Sequence, residues 1–361
     1  MTKEKNIILF CLLRLFFCTF ISYFARLFVI LHKIYTKVMN QSVTEILNNT
    51  QETLFSFEVL PPVKGKSIEQ IYKTIDKLMA YNPAFIEVTT HRSDYSYREV
   101  KPGQFVRVED RLRPGTVAVS CAIKQRYNIP VVPHIICSGY TQQDTENELI
   151  DLAFFDIFDL IVLRGDKSKL DNRFIPKDGG LMYASELCQQ VNEFNEGRMI
   201  FGDSHDMLRG KRPFTYGVAG YPEKHDEAMS LQADMDALKK KVDMGAGYIV
   251  TQMVFDNEKY FAFLDRCEKA GINVPVIPGL KPISTLNHRS MLPRTFHIDF
   301  PDRLVRRLLD CKSNDDVKKV GIEWAINQCQ ELKAAKVPSL HFYTMNAADA
   351  ICKIMDEVSN K

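Results

Sequence analysis

The 361-residue sequence lacks the short signatures that would announce its chemistry. It has no HExxH, no cluster of Cys and His and no P-loop, so neither a metal centre nor a Walker-type phosphate site is indicated. None of its nine cysteines stands in a CxxC pair. An odd number of unpaired thiols fits a reducing compartment, read here as the cytoplasm. A basic excess is missing too. The net charge of +2 arises in the first 40 residues, which hold six Lys/Arg against one acid; the remainder carries 41 basic and 44 acidic residues, with no footprint for nucleic acid. Nor is there an uninterrupted apolar run of bilayer length. Asn6 to Leu31 is strongly apolar, but Arg14 and Arg26 interrupt it, and Leu15 to Ala25 falls short of the roughly 20 residues a span requires. Three readings of this segment stay open: upstream sequence ahead of a start at Met39, an amphipathic stretch giving residues 1–38 membrane contact, or a cleaved signal. The last lacks a small-residue cleavage site in "HKIYTKVMNQS".

What is present is an ordinary globular composition, 45% hydrophobic and 25% charged, arranged with a clear rhythm. Eight short apolar runs begin at Leu54, Phe85, Val131, Leu160, Phe214, Tyr248, Val274 and Ser339. Between them lie helix-forming segments such as 68–79, 141–155, 228–244 and 257–270, with apolar residues three or four apart. Eight strand-helix units predict an α/β fold of the closed (β/α)8, TIM-barrel type, as one domain over residues 41–361. A doubly wound sheet would want a Gly-rich turn after its first strand, where this chain has Pro61-Pro62. Residues 299–337 add helices before the last strand. Two long connections, Arg92 to Arg113 and Arg198 to Pro213, read as lids, functional insertions or subunit contacts.

In such a barrel, catalysis belongs to the carboxyl ends of the strands. In "LFSFEVLPP" a period-two reading turns Phe55, Phe57 and Val59 one way and Ser56, Glu58 and Leu60 the other, leaving Glu58 near a strand end among apolar neighbours. An acid there is paired, exposed or at work, since burying it unpaired is costly. Thr89, His134, Arg164, Asp166, Tyr221 to His225 and Gln252 fall at the ends of the next five strands. Each has a plain alternative: Thr89 as a strand former, His134 as a satisfied core residue, Arg164 and Asp166 as a local ion pair. Gln252 is harder to dismiss, because a buried amide needs partners. After the fifth strand, the run Lys239 to Lys241 reads as a solvated helix face, or else Asp234 and Lys241, seven residues apart, join His225 in a ridge for a long anionic ligand.

The segments "FEVLPP", "VPHIIC", "LRGD", "MYASEL", "GYPEKH", "QADMDALKKKVDMGA", "TQMVFD", "IPGLKPIS" and "HFYTMN" together resemble the methylenetetrahydrofolate reductase family, in its short bacterial form, from about residue 45 onward. Nine motifs in register make the resemblance specific. It implies an FAD-binding barrel in which NADH or NADPH reduces the flavin and the flavin reduces 5,10-methylenetetrahydrofolate, alternately at one site, in a homo-oligomer. By the same resemblance Glu58 is the general acid toward folate N10. Asp166 tunes the flavin and grips the pterin, Gln252 holds the folate, and Thr89 faces nicotinamide and flavin. His134, Arg164, Gly165, Asp166, Tyr183, Ala184, Tyr221, His225, Ala228, Asp234, Lys240 and Lys241 match FAD-contacting positions. The chain also leaves little room for the carboxyl-terminal regulatory domain of the eukaryotic enzymes.

Departures from the family pattern are Thr90-His91-Arg92 after the second strand, Ala237 at an FAD position, Leu292 where a mobile aromatic covers the ligand, and Ala347 in place of a basic residue. Phe296 and an arginine such as Arg294 are candidates to compensate for these changes. Another FAD-dependent barrel dehydrogenase, acting on an amine or amino acid, and a non-catalytic flavin-binding subunit are the alternatives. The intact Glu58, Asp166 and Gln252 speak against the second.

Overall fold

A computed structural model describes residues 41–168, 171–345 and 347–359. The apolar run within residues 1–40 lies outside the described residues. The barrel lies within residues 42–361.

Ten strands form among the described residues. Eight of them, β1 (Leu54–Val59), β2 (Phe85–Val88), β5 (Val131–Ile136), β6 (Asp159–Leu163), β7 (Thr215–Gly220), β8 (Tyr248–Met253), β9 (Val276–Leu280) and β10 (Ser339–Tyr343), close a parallel barrel in the order β1-β10-β9-β8-β7-β6-β5-β2. These are the eight apolar runs of the sequence. The fold is therefore the α/β barrel expected from them.

Helix α1 (Val43–Asn49) precedes the barrel; α2 (Glu69–Leu78), α3 (Thr116–Tyr127), α4 (Gln142–Phe154), α5 (Ala184–Asn195), α6 (Leu231–Asp243) and α7 (Asn257–Lys269) connect its strands. Helices α8 (His288–Phe296), α9 (Asp302–Leu309) and α10 (Asn314–Ala334) supply the extra material before β10, and α11 (Ala348–Val358) follows it. Sequence-local signals start several of them. Thr141 with Asp144 and Ser313 with Asp316 form capping boxes at α4 and α10, satisfying amides that a helix start leaves unbonded.

The alternation in β1 sorts residues as the period of two requires. Phe57 and Val59 pack outward against helices, while Ser56 lies 2.9 Å from His341 Nδ1 and 3.1 Å from Ser339 Oγ inside the barrel. At the amino-terminal end the interior is apolar: Phe85, Val132, Ile161, Tyr248, Val250 and Ile277 pack with Val43 and Leu47 of α1, which plugs that mouth. The Val43 amide donates to Asp159 Oδ1 at 2.9 Å, and Arg212 and Thr215 converge on the same carboxylate. Higher up, the lining turns polar. Gly279 permits the crossing at that level, since a Cβ there would stand 2.4 Å from the Thr251 carbonyl oxygen and 2.5 Å from the Tyr343 ring.

The two long connections take different forms. The stretch from Arg92 to Arg113 is an antiparallel hairpin, β3 (Asp94–Lys101) with β4 (Gln104–Asp110), turning at Pro102-Gly103. Its alternating "YSYREV" and "FVRVED" carried that signal. The stretch from Arg198 to Pro213 is no lid over the carboxyl ends of the strands. Its Ile200 amide donates to Glu146 on α4, and Lys211 and Arg212 pair with Asp156 and Asp159 beside the start of β6.

Candidate active site

Glu58 sits at the polar end of the barrel with its side chain 15% exposed. Its neighbours come from three other strands. His134 Nε2 of β5 lies 3.9 Å from Glu58 Oε2 and 3.0 Å from Oε2 of Glu87 on β2. His341 Nε2 of β10 lies 3.5 Å from the same Glu87 oxygen. Lys281, just past β9, is buried and donates to the Tyr343 carbonyl at 3.2 Å. Burial drives the Glu58 carboxyl up to about 7; Glu87 pushes in the same direction, and His134 and Lys281 oppose it. Burial likewise brings the Lys281 ammonium down to about 8, against the pull of Glu58. A carboxylic acid that titrates near neutrality can hold a proton at pH 7 and give it up to a basic atom placed above it.

Glu58 is fixed through its backbone as well. Its carbonyl accepts from the Thr344 hydroxyl at 2.7 Å, and the Tyr343 hydroxyl donates to the Thr251 carbonyl at 2.6 Å. Thr89 stands one residue beyond β2, where its amide donates to the Val59 carbonyl; its hydroxyl oxygen is buried with no partner among the described residues. Such an atom is the kind a bound ligand satisfies. Gln252 is half-buried, and its Oε1 accepts from the Met253 amide at 2.9 Å, which orients the amide and leaves its NH2 as the end available to a ligand.

A second group gathers past β6 and β7. Arg164 donates to Glu227 Oε2 at 2.6 Å and stacks over Phe174, while its Nε has no partner among the described residues. Gly165 follows with φ +79°, and a Cβ there would stand 2.9 Å from Ser138. Glycine alone suits both that backbone and that approach. The Asp166 side chain is exposed. Tyr221 and His225 meet edge to face at 4.7 Å, and the His225 amide donates to Asp234 Oδ2 at 3.0 Å. Burial and Arg164 depress the His225 imidazole, and three nearby acids, Asp226, Asp234 and Glu227, work against them.

The lysine run divides. Lys239 pairs with Asp243 and Lys240 is exposed, whereas Lys241 turns inward to donate to the Ala219 carbonyl at 2.8 Å, its ammonium brought down by burial to about 8. Asp234, His225 and Lys241 thus surround the end of β7, and Lys240 stands apart from them. The Ala228 amide closes the turn onto His225, and Tyr183 and Ala184 lie at the start of α5, the tyrosine exposed. Among the departures, the Thr90 hydroxyl donates to the His134 carbonyl, and Arg92 donates to Ser138 Oγ at 3.3 Å. Leu292 is fully buried in the core that α8 shares with α9 and α10, so it is a packing residue and not a cover.

Glu87, His341 and Lys281 escaped the sequence reading. The first was legible: an acid inside "FIEVT" repeats the signal that singled out Glu58. With Glu58 and His341 it makes a set whose donor atoms lie within 4.8 Å of one another.

Comparison with known proteins agrees with this architecture. The family model for methylenetetrahydrofolate reductase matches residues 42–359. The 5,10-methylenetetrahydrofolate reductase of Escherichia coli is 30% identical over 87% of this chain and 93% of its own length. The Arabidopsis thaliana protein named methylenetetrahydrofolate reductase (NADH) 1 is 29% identical over 85% of this chain. The chain spans about half the length of that plant relative and of the Schizosaccharomyces pombe one, 48% and 46%. A Clostridium thermocellum protein described as binding two copies of 5-methyl-5,6,7,8-tetrahydrofolic acid shares the fold, with TM-score 0.51 at 13% identity, over 87% of this chain and 96% of that one. By its family match and its bacterial relatives, the chain belongs to the methylenetetrahydrofolate reductase family.

Proposed function

We propose that the chain reduces 5,10-methylenetetrahydrofolate to 5-methyltetrahydrofolate with NADH or NADPH as donor, using FAD, and that residues 41–361 carry this activity as one cytoplasmic domain. The observation that carries the reading is Glu58, a carboxyl at the mouth of the barrel titrating near 7. FAD, when bound, supplies the carrier that takes hydride from the nicotinamide and delivers it to the folate.

The residues present fit that cofactor. The Arg164 Nε, without a partner among the described residues, the close approach at Gly165 and the inward Lys241 offer cationic and backbone contacts at one end of the site. His134, Asp166, Tyr183, Ala184, Tyr221, His225, Ala228, Asp234 and Lys240 complete the positions assigned to it by resemblance. The buried Thr89 hydroxyl is the group assigned to the nicotinamide.

The chain's own part is a proton and a grip. Glu58 gives its proton to folate N10, the five-membered ring opens, and the new carboxylate is steadied by the Lys281 ammonium. The amide of Gln252 and the carboxylate of Asp166 hold the folate so that its electrophilic carbon meets the carrier. Recording the visible spectrum of the purified protein without oxygen tests this. NADH or NADPH should bleach a flavin, and methylenetetrahydrofolate should restore it; bleaching that the folate leaves unchanged would overturn the proposal.

A further inference from the structure

Beside and beneath Glu58 lies a polar cluster of which the resemblance gives a task to His134 alone, as an FAD-contacting position, and none to Glu87, His341, Ser56 or Ser339. Glu87 is 1% exposed and its Oε1 has no partner among the described residues. Two imidazoles from opposite sides approach its other oxygen, His134 Nε2 at 3.0 Å and His341 Nε2 at 3.5 Å. Ser56 Oγ stands 2.9 Å from His341 Nδ1 and 3.1 Å from Ser339 Oγ, so a hydroxyl can donate to Nδ1 and leave the ring proton on Nε2, toward Glu87. The apolar layer and α1 fill the barrel below the cluster.

This geometry bears on the acid directly. His134 Nε2 faces both carboxyl groups, 3.0 Å from one and 3.9 Å from the other. If Nε2 carried a lone pair, it would accept a hydrogen bond from Glu58 and hold the proton toward the ring and away from a substrate, although burial lowers the His134 imidazole and so leaves that proton on the acid. A carboxylate at Glu87 that accepts from Nε2 places the ring proton there and removes the base, in the way a partner group fixes a histidine tautomer. We propose that Glu87 is a positioning residue for Glu58: it holds His134 in the Nε2–H tautomer and, by its own negative charge, keeps the transferable proton on Glu58.

This role rests on the one given to Glu58 under the proposed function. Burial pushes the Glu87 carboxyl up, and the His341 ring opposes that shift. The groups facing the pair are Ser56 and Glu58 on β1, His134 on β5, the Tyr248 hydroxyl on β8, Lys281 past β9, and Ser339, His341 and Tyr343 on β10.

The test uses Glu87→Gln, which keeps shape and removes charge, with Glu87→Asp as the charge-retaining comparison. The pH dependence of the folate half-reaction is measured from about pH 5.5 to about pH 8.5, spanning the ordinary His value and the raised acid. Glu87→Gln should move the alkaline limb to lower pH and slow the reaction at least about tenfold at about pH 7.5, about 1.4 kcal/mol. Flavin content and reduction by NADH should stay at the wild-type level, and Glu87→Asp should recover most of the shift. An unmoved limb in Glu87→Gln overturns the proposal.

Nitrogen-15 NMR of histidine-labelled wild-type protein supplies a readout independent of turnover and of whether the variant folds. The His134 resonances, assigned by their loss in His134→Asn, should report Nε2–H; an Nδ1–H tautomer overturns the proposal. Glu58→Gln is run alongside. If that variant keeps folate turnover, the role of Glu58 has failed, whereas a moved tautomer or an unmoved limb with Glu58→Gln inactive is a failure of Glu87 alone.

Discussion

Replacing Glu58 by glutamine removes a titration whose effect on folding can be worked out from the structure. The carboxyl titrates at about 7 in the fold, against 4.5 when unperturbed, with burial the largest cause. Because the folded value is the higher one, the contribution of Glu58 to stability is complete below about pH 4.5 and is lost as the pH rises to about 7, above which it stays constant. The gap corresponds to about 3 kcal/mol. Glutamine has the same shape and no such titration, so the variant should gain on the wild type across this window. Urea unfolding followed by circular dichroism at about pH 5, 6, 7 and 8 measures the difference. Titrating groups away from the site cancel between the two proteins while His134 and Lys281 respond to the loss of the Glu58 charge, and about 2 to 3 kcal/mol of relative stabilisation should accumulate between about pH 5 and about pH 8. A difference that stays constant over that range would refute the reasoning, because it would mean that Glu58 ionises in the fold as readily as in the unfolded chain.

Two further substitutions probe the frame around the site. Gly279→Ala puts a methyl 2.4 Å from the Thr251 carbonyl oxygen and 2.5 Å from the Tyr343 ring, so it should cost about 2 kcal/mol or more and lower the melting temperature; an unchanged melting temperature contradicts the packing described. Asp159→Asn weakens the carboxylate shared by Val43, Arg212 and Thr215 at the far mouth of the barrel, and should cost about 2–4 kcal/mol in urea unfolding. Flavin reduction and folate turnover by the folded variant should stay as in the wild type, and a selective loss of folate turnover would contradict the separation of the two ends.

The eight strands were legible because their signal is local: a short apolar run shows in its own residues which way each side chain turns. Glu58 was legible for the same reason, as one acid at an inward position of such a run. The hairpin from Asp94 to Asp110 carries an equally local alternation around Pro102-Gly103, hidden by its mostly exposed faces, which give it the composition of a loop. What no local pattern contains is the meeting of side chains across strands. His341 reaches Glu87 because β10 and β2 both flank β1, pairing His341 with Ser56 and Glu87 with Glu58. Lys281 comes near Glu58 only once the barrel has closed. The lysine run divides because successive residues on a helix point about 100° apart, which sends Lys241 inward and Lys240 to solvent. Leu292 shows the converse, since alignment to a mobile cover carries no information about burial in α8.

The central claim is that Glu58 supplies the proton for the folate half of the reaction and nothing to the nicotinamide half. Stopped-flow measurement of both half-reactions in Glu58→Gln tests it most directly. The account predicts flavin reduction by NADH or NADPH within a few-fold of wild type, and reoxidation by methylenetetrahydrofolate slowed by at least about 10². Reoxidation at the wild-type rate, with the flavin bound, would contradict it.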